Sequence, residues 1–310
     1  MFERKKILVA GDFMLDIYTQ GEVRRISPEA PVPVLCVKDE RRIPGGAGNT
    51  ILNLISLGMD VVALGRVGND QAGRDFLQSI ADENVDTKGI FVDQHFCTPE
   101  KNRMMAGGQQ IVRIDYEEVS SLPEYLYQKV IEQLPQLMKG IDVVAISDYA
   151  KGFLTPALLQ EIISYDIPVI VDPKGLDFTR YWGAMVLKPN LGEAIAAAGL
   201  GHEATLDDVA AVLLKGAENL MITRSSEGIS LFGAEGRRDF PAQVHEVRDV
   251  TGAGDTVLAV LTAALANGYS LDEAAQLGNL AAAVAIECLG CARVSVDQIR
   301  AKMLSLDCNK

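Results

Sequence analysis

Between residues 143 and 223 the chain alternates short apolar runs with segments of helical period, and this restricts it to few architectures. Residues 143–147, 169–172, 185–187 and 220–223 read as strands, and 155–164, 192–198 and 206–214 as the helices between them. Strands separated by helices pair parallel, so the pattern predicts an α/β fold: a doubly wound, mostly parallel sheet with helices on both faces. Upstream, 7–10 and 61–64 read as further strands, and 49–57 and 73–83 as further helices.

Each strand of the regular region ends in a polar cluster: Ser147-Asp148, Asp172-Pro173-Lys174, Lys188-Pro189-Asn190 and Thr223-Arg224. Ligands of open α/β sheets bind outside the carboxyl ends of the strands, so these clusters are expected to converge on one crevice. Two stretches break the alternation. Residues 26–43 are punctuated by Pro and Gly around an alternating run at 32–37, and 98–114 alternate polar with apolar residues. The prolines predict an edge strand or exposed flap. Residues 1–310 are therefore read as one domain with small β-flap (lid) segments near 13–43 and 96–116.

A net charge of −13 at pH 7, with Lys and Arg scattered, argues against a nucleic-acid or membrane partner. Any anionic substrate must be met by a local concentration of cations. The five cysteines are an odd number, and the charged start of the chain runs directly into the strand at 7–10, so a reducing cytoplasm is expected. Cys288 and Cys291 have CxxC spacing without a second ligand pair, which is read as structural. His95, His202 and His245 lie near no motif and are expected on surfaces or strand ends.

The chemistry concentrates in Asp249-Val250-Thr251-Gly252-Ala253-Gly254-Asp255-Thr256, followed by the apolar helix at 257–266. Small residues opening a helix present backbone N–H groups to an anion, and the helix dipole reinforces them. Asp255 beside them can take a proton from a hydroxyl. Donors for an anion next to a carboxylate base suit phosphoryl transfer. The alternative for such a segment alone is a Gly turn with an Asp cap. No Gly-Lys-Ser/Thr follows, so it is not a Walker loop.

With Gly45-Gly46-Ala47-Gly48-Asn49 some 200 residues earlier, this segment resembles the ribokinase-like (PfkB) carbohydrate kinases. The resemblance sharpens toward the heptose-7-phosphate kinase branch in the words Gly11-Asp12-Phe13-Met14-Leu15-Asp16, Arg25-Ile26-Ser27-Pro28-Glu29-Ala30-Pro31-Val32-Pro33-Val34, Gln109-Gln110-Ile111-Val112-Arg113-Ile114-Asp115, Ser147-Asp148-Tyr149-Ala150-Lys151-Gly152 and Asp172-Pro173-Lys174-Gly175. It implies ATP with Mg2+, a sugar phosphate phosphorylated at its anomeric hydroxyl, Asp255 as base, and Gly252, Ala253 and Gly254 as anion hole. The sugar is expected at Asp12, Asp16, Gly45, Gly46, Asn49, Asp148 and Lys174, and its phosphate at Arg25, Lys101, Arg103 and Arg113. ATP is expected along Asn190, Thr223, Arg224, Glu227, Gly228, Thr251, Gly254 and Asn279, with Lys188 a weaker candidate.

Asn190 and Glu193 match the family's NxxE motif for Mg2+, acting through water, although the same pair reads equally as a helix-capping box. Asp249 with carbonyls around 289–295 is the expected monovalent-cation (K+) site. The flap edge at 32–37 suits pairing with a second copy, so a homodimer is expected. Many proteins of this branch carry a nucleotidyltransferase domain with an HxGH motif, which this sequence lacks. A stand-alone kinase and the kinase half of a longer protein both remain open. So do a kinase for another sugar and a non-catalytic sugar-sensing protein.

Overall fold

A computed structural model describes every residue except 202, 244–246, 289 and 308–310. In chain order the first half comprises β1 (Lys6–Gly11), β2 (Phe13–Ile26), β3 (Pro33–Gly46), α1 (Ala47–Ser56), β4 (Asp60–Gly68), α2 (Gln71–Ala81), β5 (Asp86–Asp93), β6 (Glu100–Ala106), β7 (Gln109–Tyr116) and α3 (Glu124–Leu137). The regular region follows with β8 (Val143–Ser147), α4 (Pro156–Ile163), β9 (Val169–Asp172), β10 (Val186–Leu187), α5 (Leu191–Ala198), α6 (Leu206–Leu213) and β11 (Asn219–Thr223). The last third holds β12 (Ile229–Gly233), β13 (Gly236–Phe240), α7 (Ala253–Ala266), α8 (Leu271–Ile286) and α9 (Val296–Asp307).

The large sheet has the order β13-β12-β11-β10-β9-β8-β1-β4-β5. Its strands from β11 to β5 are parallel, as the alternation predicts. Side chains of successive residues leave opposite faces of a strand. In β1, Ile7 and Val9 accordingly join the core under α1, α2, α7, α8 and α9, while Leu8 and Ala10 join the core under α3, α4, α5 and α6. The antiparallel ending, β11-β12-β13, is the part that makes the sheet mostly rather than wholly parallel. Gly233 pairs with Gly236, so two residues turn the chain, which is too little for the crossover that a parallel neighbour needs.

The two flaps form one four-stranded sheet, β3-β2-β6-β7. β3 is an edge strand hydrogen-bonded to β2 alone, as its prolines predict. β2 runs for 14 residues within the lid segment expected near 13–43 and starts directly after β1. Only Asp12 separates β1 in one sheet from β2 in the other. Phe13, Leu15 and Ile17 point into the core, and Met14, Asp16 and Tyr18 alternate with them. No helix is long and apolar enough to cross a membrane, among the described residues.

Candidate active site

Asp255 sits in the first turn of α7, almost fully buried at 4% exposure. Asn49 Nδ2, from α1, donates to its Oδ2 at 2.9 Å, and the Tyr149 hydroxyl donates to its Oδ1 at 2.7 Å. Burial pushes the carboxyl up to about 7, against the pull of those two hydrogen bonds. α7 begins after Gly252, whose φ of 79° is left-handed and whose missing Cβ would stand 2.6 Å from Asn49 Nδ2. Only glycine allows that approach.

Of Gly252, Ala253 and Gly254, expected as an anion hole, one has its amide engaged. The Ala253 N–H donates to the Val250 carbonyl at 3.3 Å. Among the described residues none accepts from the N–H groups of Gly252, Gly254 or Asp255, which are left open at the positive end of α7. A Cβ on Gly254 would lie 3.8 Å from Lys188 Nζ and 3.7 Å from Asp172 Oδ2. Those two side chains pair with each other at 2.8 Å, and Lys188 is 2% exposed. Lys188, the weaker candidate of the sequence, thus stands as a buried cation beside the open amides. Asp172, at the end of β9, is its partner. Sequence reasoning left Asp172 unassigned, although it ends a strand in the Asp172-Pro173-Lys174 cluster.

Asp12 and Asp148, both expected at the sugar, are hydrogen-bonded to the loop after β8. The Asp12 carboxylate accepts from the backbone N–H groups of Tyr149, Lys151 and Phe153, at 2.9, 3.0 and 3.3 Å. Burial, and then the charge of Asp148, push its carboxyl up to about 6. Asp148 accepts from the Ala150 N–H and the Tyr181 hydroxyl, both at 2.7 Å, and pairs with Arg180. Both carboxylates are spent on shaping the loop after β8. That loop carries Tyr149 to Asp255, a residue the sequence contained in a matching word but gave no role.

On the lid side, Asp16 pairs with Arg103, which lies over the Tyr18 ring. The Cys291 thiol stands 3.4 Å from Asp16 Oδ2, with burial pushing the thiol well up. A Cβ on Gly45 would meet Asp16 Oδ2 at 2.3 Å, so that glycine makes room for the carboxylate. Gly46, at φ 56°, is the cap of α1 and leads toward Asn49. Cys291 is thus a wall of this site, whereas its CxxC partner Cys288 only touches the Val284 carbonyl of its own helix.

The four cations expected at a distal phosphate do not assemble. Arg103 is held by Asp16, Arg113 by Asp115 at 2.8 Å, and Lys101 stands between Asp115 and Glu117. Arg25 lies nine residues along β2 from Asp16, roughly 30 Å at strand rise, so one chain cannot bring both to one sugar.

On the nucleotide side, Asn190 and Glu193 form a complete capping box, at 2.9 and 3.0 Å, and Lys174 Nζ pairs with Glu193 Oε1 at 2.6 Å. Arg224 is closed onto Glu227 at 2.6 Å, and Gly228 turns the chain at φ 89°. Thr223 donates its N–H to the Pro189 carbonyl, which joins the ends of β11 and β10. Asn279 donates to the Pro241 carbonyl at 2.6 Å, holding the end of β13. Asp249 accepts from the N–H groups of Thr251 and Gly290, both at 2.9 Å. Burial opposes ionisation there, but the two amides hold the carboxyl lowered.

A cleft of about 300 Å³ opens above, lined by Tyr18, Gln20, Arg41, Met105, Asp249 and Gly290. Asp255 does not line it. The expected open cavity at the base is instead closed by Tyr149, Asn49 and the Cys291 wall. His95 is exposed, as expected, whereas His202 and His245 lie outside the described residues. Leu289, part of the expected monovalent-cation site, and Cys308 also lie outside them.

The chain is similar to known proteins over nearly its whole length. It is 45% identical over 303 residues to the bifunctional protein HldE of Trichlorobacter lovleyi, covering 95% of this chain and 62% of that protein. HldE of Campylobacter jejuni is also 45% identical, over 313 residues. The chain therefore spans less than two thirds of the relatives it matches. In fold it superposes on Escherichia coli phosphofructokinase-2, solved with substrates and products, at a TM-score of 0.78 and 22% identity, covering 98% of this chain and 100% of the other. Arabidopsis thaliana ribokinase complexed with ribose and ATP gives 0.74 at 20% identity, covering 98% and 99%. The pattern of the pfkB family carbohydrate kinases matches residues 4–298, and the chain belongs to that family of ATP-dependent sugar kinases.

Proposed function

We propose that this chain transfers the γ-phosphoryl group of ATP to the anomeric 1-hydroxyl of D-glycero-β-D-manno-heptose 7-phosphate, giving the 1,7-bisphosphate. The reading belongs to the route toward ADP-heptose and the lipopolysaccharide core. One observation carries the chemistry: a buried carboxylate oriented by Asn49 and Tyr149, in the first turn of a helix whose open amides adjoin Lys188. The choice of heptose is supported by the matching words of the lid and of the β8 loop, and by the similarity to HldE.

The sugar hydroxyl displaces the Tyr149 hydroxyl and comes within about 3 Å of Asp255 Oδ1. Asp255 takes the proton as the oxygen forms its bond to phosphorus and the bond to ADP breaks. The open N–H groups of Gly252 and Gly254, with Lys188, meet the charge on the transferring group. The hydrogen bond from Asn49 to Oδ2 keeps Asp255 aimed after the Tyr149 hydroxyl has been displaced. The lid, with Asp16 and Arg103, covers the sugar and excludes water.

The residues present fit Mg2+ arriving with ATP rather than a preformed cage. Among the described residues no cluster of three or more His, Cys, Asp or Glu is placed to hold a metal. Mg2+ on nucleotides asks for one or two carboxylates and keeps its waters, and Glu193 and Asp172 offer that number. When bound, it neutralises phosphate charge. For K+, Asp249 has both oxygens engaged by amides, so it would serve through the carbonyls of the loops it ties. The open edge of β3, with Val32 and Val37 exposed, supports a homodimer through the lid. A cytoplasmic place follows from the use of ATP.

The test is ATP consumption with heptose 7-phosphate, with the product identified by phosphorus NMR. Formation of the 1,7-bisphosphate supports the reading, and turnover only with another sugar overturns it.

A further inference from the structure

Both oxygens of the Asp255 carboxylate are engaged within the chain itself. Asn49 Nδ2 donates to Oδ2 at 2.9 Å, and the Tyr149 hydroxyl donates to Oδ1 at 2.7 Å. The second contact takes the oxygen that an acceptor hydroxyl needs, and it comes from a loop whose backbone is tied down. Asp12 accepts from the N–H groups of Tyr149, Lys151 and Phe153, and Asp148 from that of Ala150. Ala150 is held at φ 55°, a left-handed conformation that alanine avoids and that its surroundings must impose. With the backbone fixed, the contact to Asp255 is broken by a swing of the Tyr149 side chain alone. Tyr149 as a whole is half-buried, whereas Asp255 is 4% exposed and does not line the neighbouring cleft.

We propose that Tyr149 is the residue by which this kinase rejects water: its hydroxyl stoppers the base until a bound sugar displaces it. The proposal rests on the reading of Asp255 as base, and adds what restrains that base when ATP is bound without sugar. A water beside Oδ1 would then be a competent acceptor. Its oxygen would bond to the γ-phosphorus as the bond to ADP breaks, and its proton would pass to Asp255, giving ADP and phosphate. Tyr149 fills that place as an inert group, because burial pushes its hydroxyl well above the ordinary range and keeps it protonated. A water brings only its own hydrogen bonds and does not displace a tethered hydroxyl. A sugar held by its other groups spends that binding on the displacement. The lid excludes water once the sugar is in place; Tyr149 excludes it before.

The experiment measures ADP release without sugar, and sugar kinetics, in wild type, Tyr149→Phe, Asp255→Asn and the double variant. Tyr149→Phe keeps the ring and opens a space the size of a hydroxyl for water. Its sugar-independent ATP hydrolysis is expected to rise about tenfold or more, and adding Asp255→Asn is expected to abolish the rise. KM for whichever sugar phosphate wild type turns over is expected to fall about three- to tenfold, since the competing hydrogen bond is gone. The groups facing Asp255 are Asn49 from α1, Tyr149 from the β8 loop, Asp172 from β9, Lys188 after β10 and Cys291 after α8. Burial holds the carboxyl up and the Tyr149 hydrogen bond opposes it, so in Tyr149→Phe the acid limb of kcat/KM is expected to move to higher pH. The limb of kcat is expected to stay, because in the sugar complex the hydroxyl has already left. Unchanged ATP hydrolysis in Tyr149→Phe, or a rise that survives Asp255→Asn, overturns the stopper. So does a raised sugar KM with both limbs moved together, which marks a fixed partner of the base. Fluorine NMR of a fluorotyrosine in place of Tyr149, in the otherwise unaltered chain, reads the displacement without removing the hydroxyl. Its resonance is expected to shift when the sugar is added with ADP and not with ADP alone, and an unmoved resonance overturns displacement. Near-normal sugar turnover in Asp255→Asn alone overturns the base and the stopper together, whereas a different preferred sugar touches neither.

Discussion

The two sheets solve different problems with the same backbone. β8 is buried along its whole length, and β1 is buried but for its first residue, each with side chains packed on both faces. β3 is exposed over most of its 14 residues, and β2 is buried only through its first seven. The large sheet fixes groups at its strand ends within a packed core, and there the base, Lys188 and the Tyr149 loop are held. The small sheet has one packed root and a long free blade, and it carries Asp16 and Arg103, the groups proposed to cover the sugar. The difference teaches that turnover should depend on the first sheet and substrate affinity on the second.

Asp255→Asn strikes the packed region hardest. It is expected to lower kcat about 10³-fold or more while sugar KM changes little, and steady-state kinetics with intact near-UV dichroism would check it. Near-normal turnover would remove the base from the mechanism. Asp12→Ala frees the three N–H groups by which Asp12 holds the Tyr149 loop. It is expected to cost about 10²-fold in kcat, as displacing a positioned group by an ångström does. Arg103→Ala belongs to the lid and should do the reverse, raising sugar KM about tenfold or more with a smaller change in kcat. If it lowers kcat alone, the division of labour between the sheets fails.

A pH profile sharpens the same contrast. Burial raises Asp255 to about 7, and the base must be ionised to work. kcat/KM should fall about tenfold per pH unit below about 7 and level off above it. Stability runs the other way. The unfolded carboxyl titrates near 3.9, so the folded state holds the extra proton between about 4 and 7. The stabilisation present below about 4 is lost as pH rises through about 7, and urea titrations of Asp255→Asn should lack that slope. Arg25→Ala, at the free end of β2, gives the smallest effect, with KM within about twofold in a monomeric assay. A tenfold change there would place a second chain at the site.

The parallel sheet was legible because its strands are apolar on both faces and each ends at a polar cluster. Residues 143–147 and 169–172 match their strands in the structure. β2 was hidden because its Phe13–Thr19 half has no simple alternation of apolar and polar residues, both faces being covered. α3 was there to be read, since Leu126, Val130, Leu134 and Leu137 repeat at helical spacing. In the site, Asp255, Asn49, Gly252 and Gly254 came from local motifs. Tyr149, Lys188 and Asp172 could not be ranked that way, since their role depends on which strand ends lie side by side. The loop contacts of Asp12 and Asp148 were hidden for the same reason. Carboxylates at a crevice look like ligands until the loop amides they bind are known.

A chain that changes sheets across the single residue Asp12 has no slack to lose or gain there. One amino acid inserted after it would turn β2 over, sending Leu15 and Ile17 to the face that Asp16 and Tyr18 now hold and driving those two into the apolar core. The spacing of Gly11-Asp12-Phe13-Met14-Leu15-Asp16 is therefore a phase relation, and drift at this position should accept exchanges of residue but refuse changes of length.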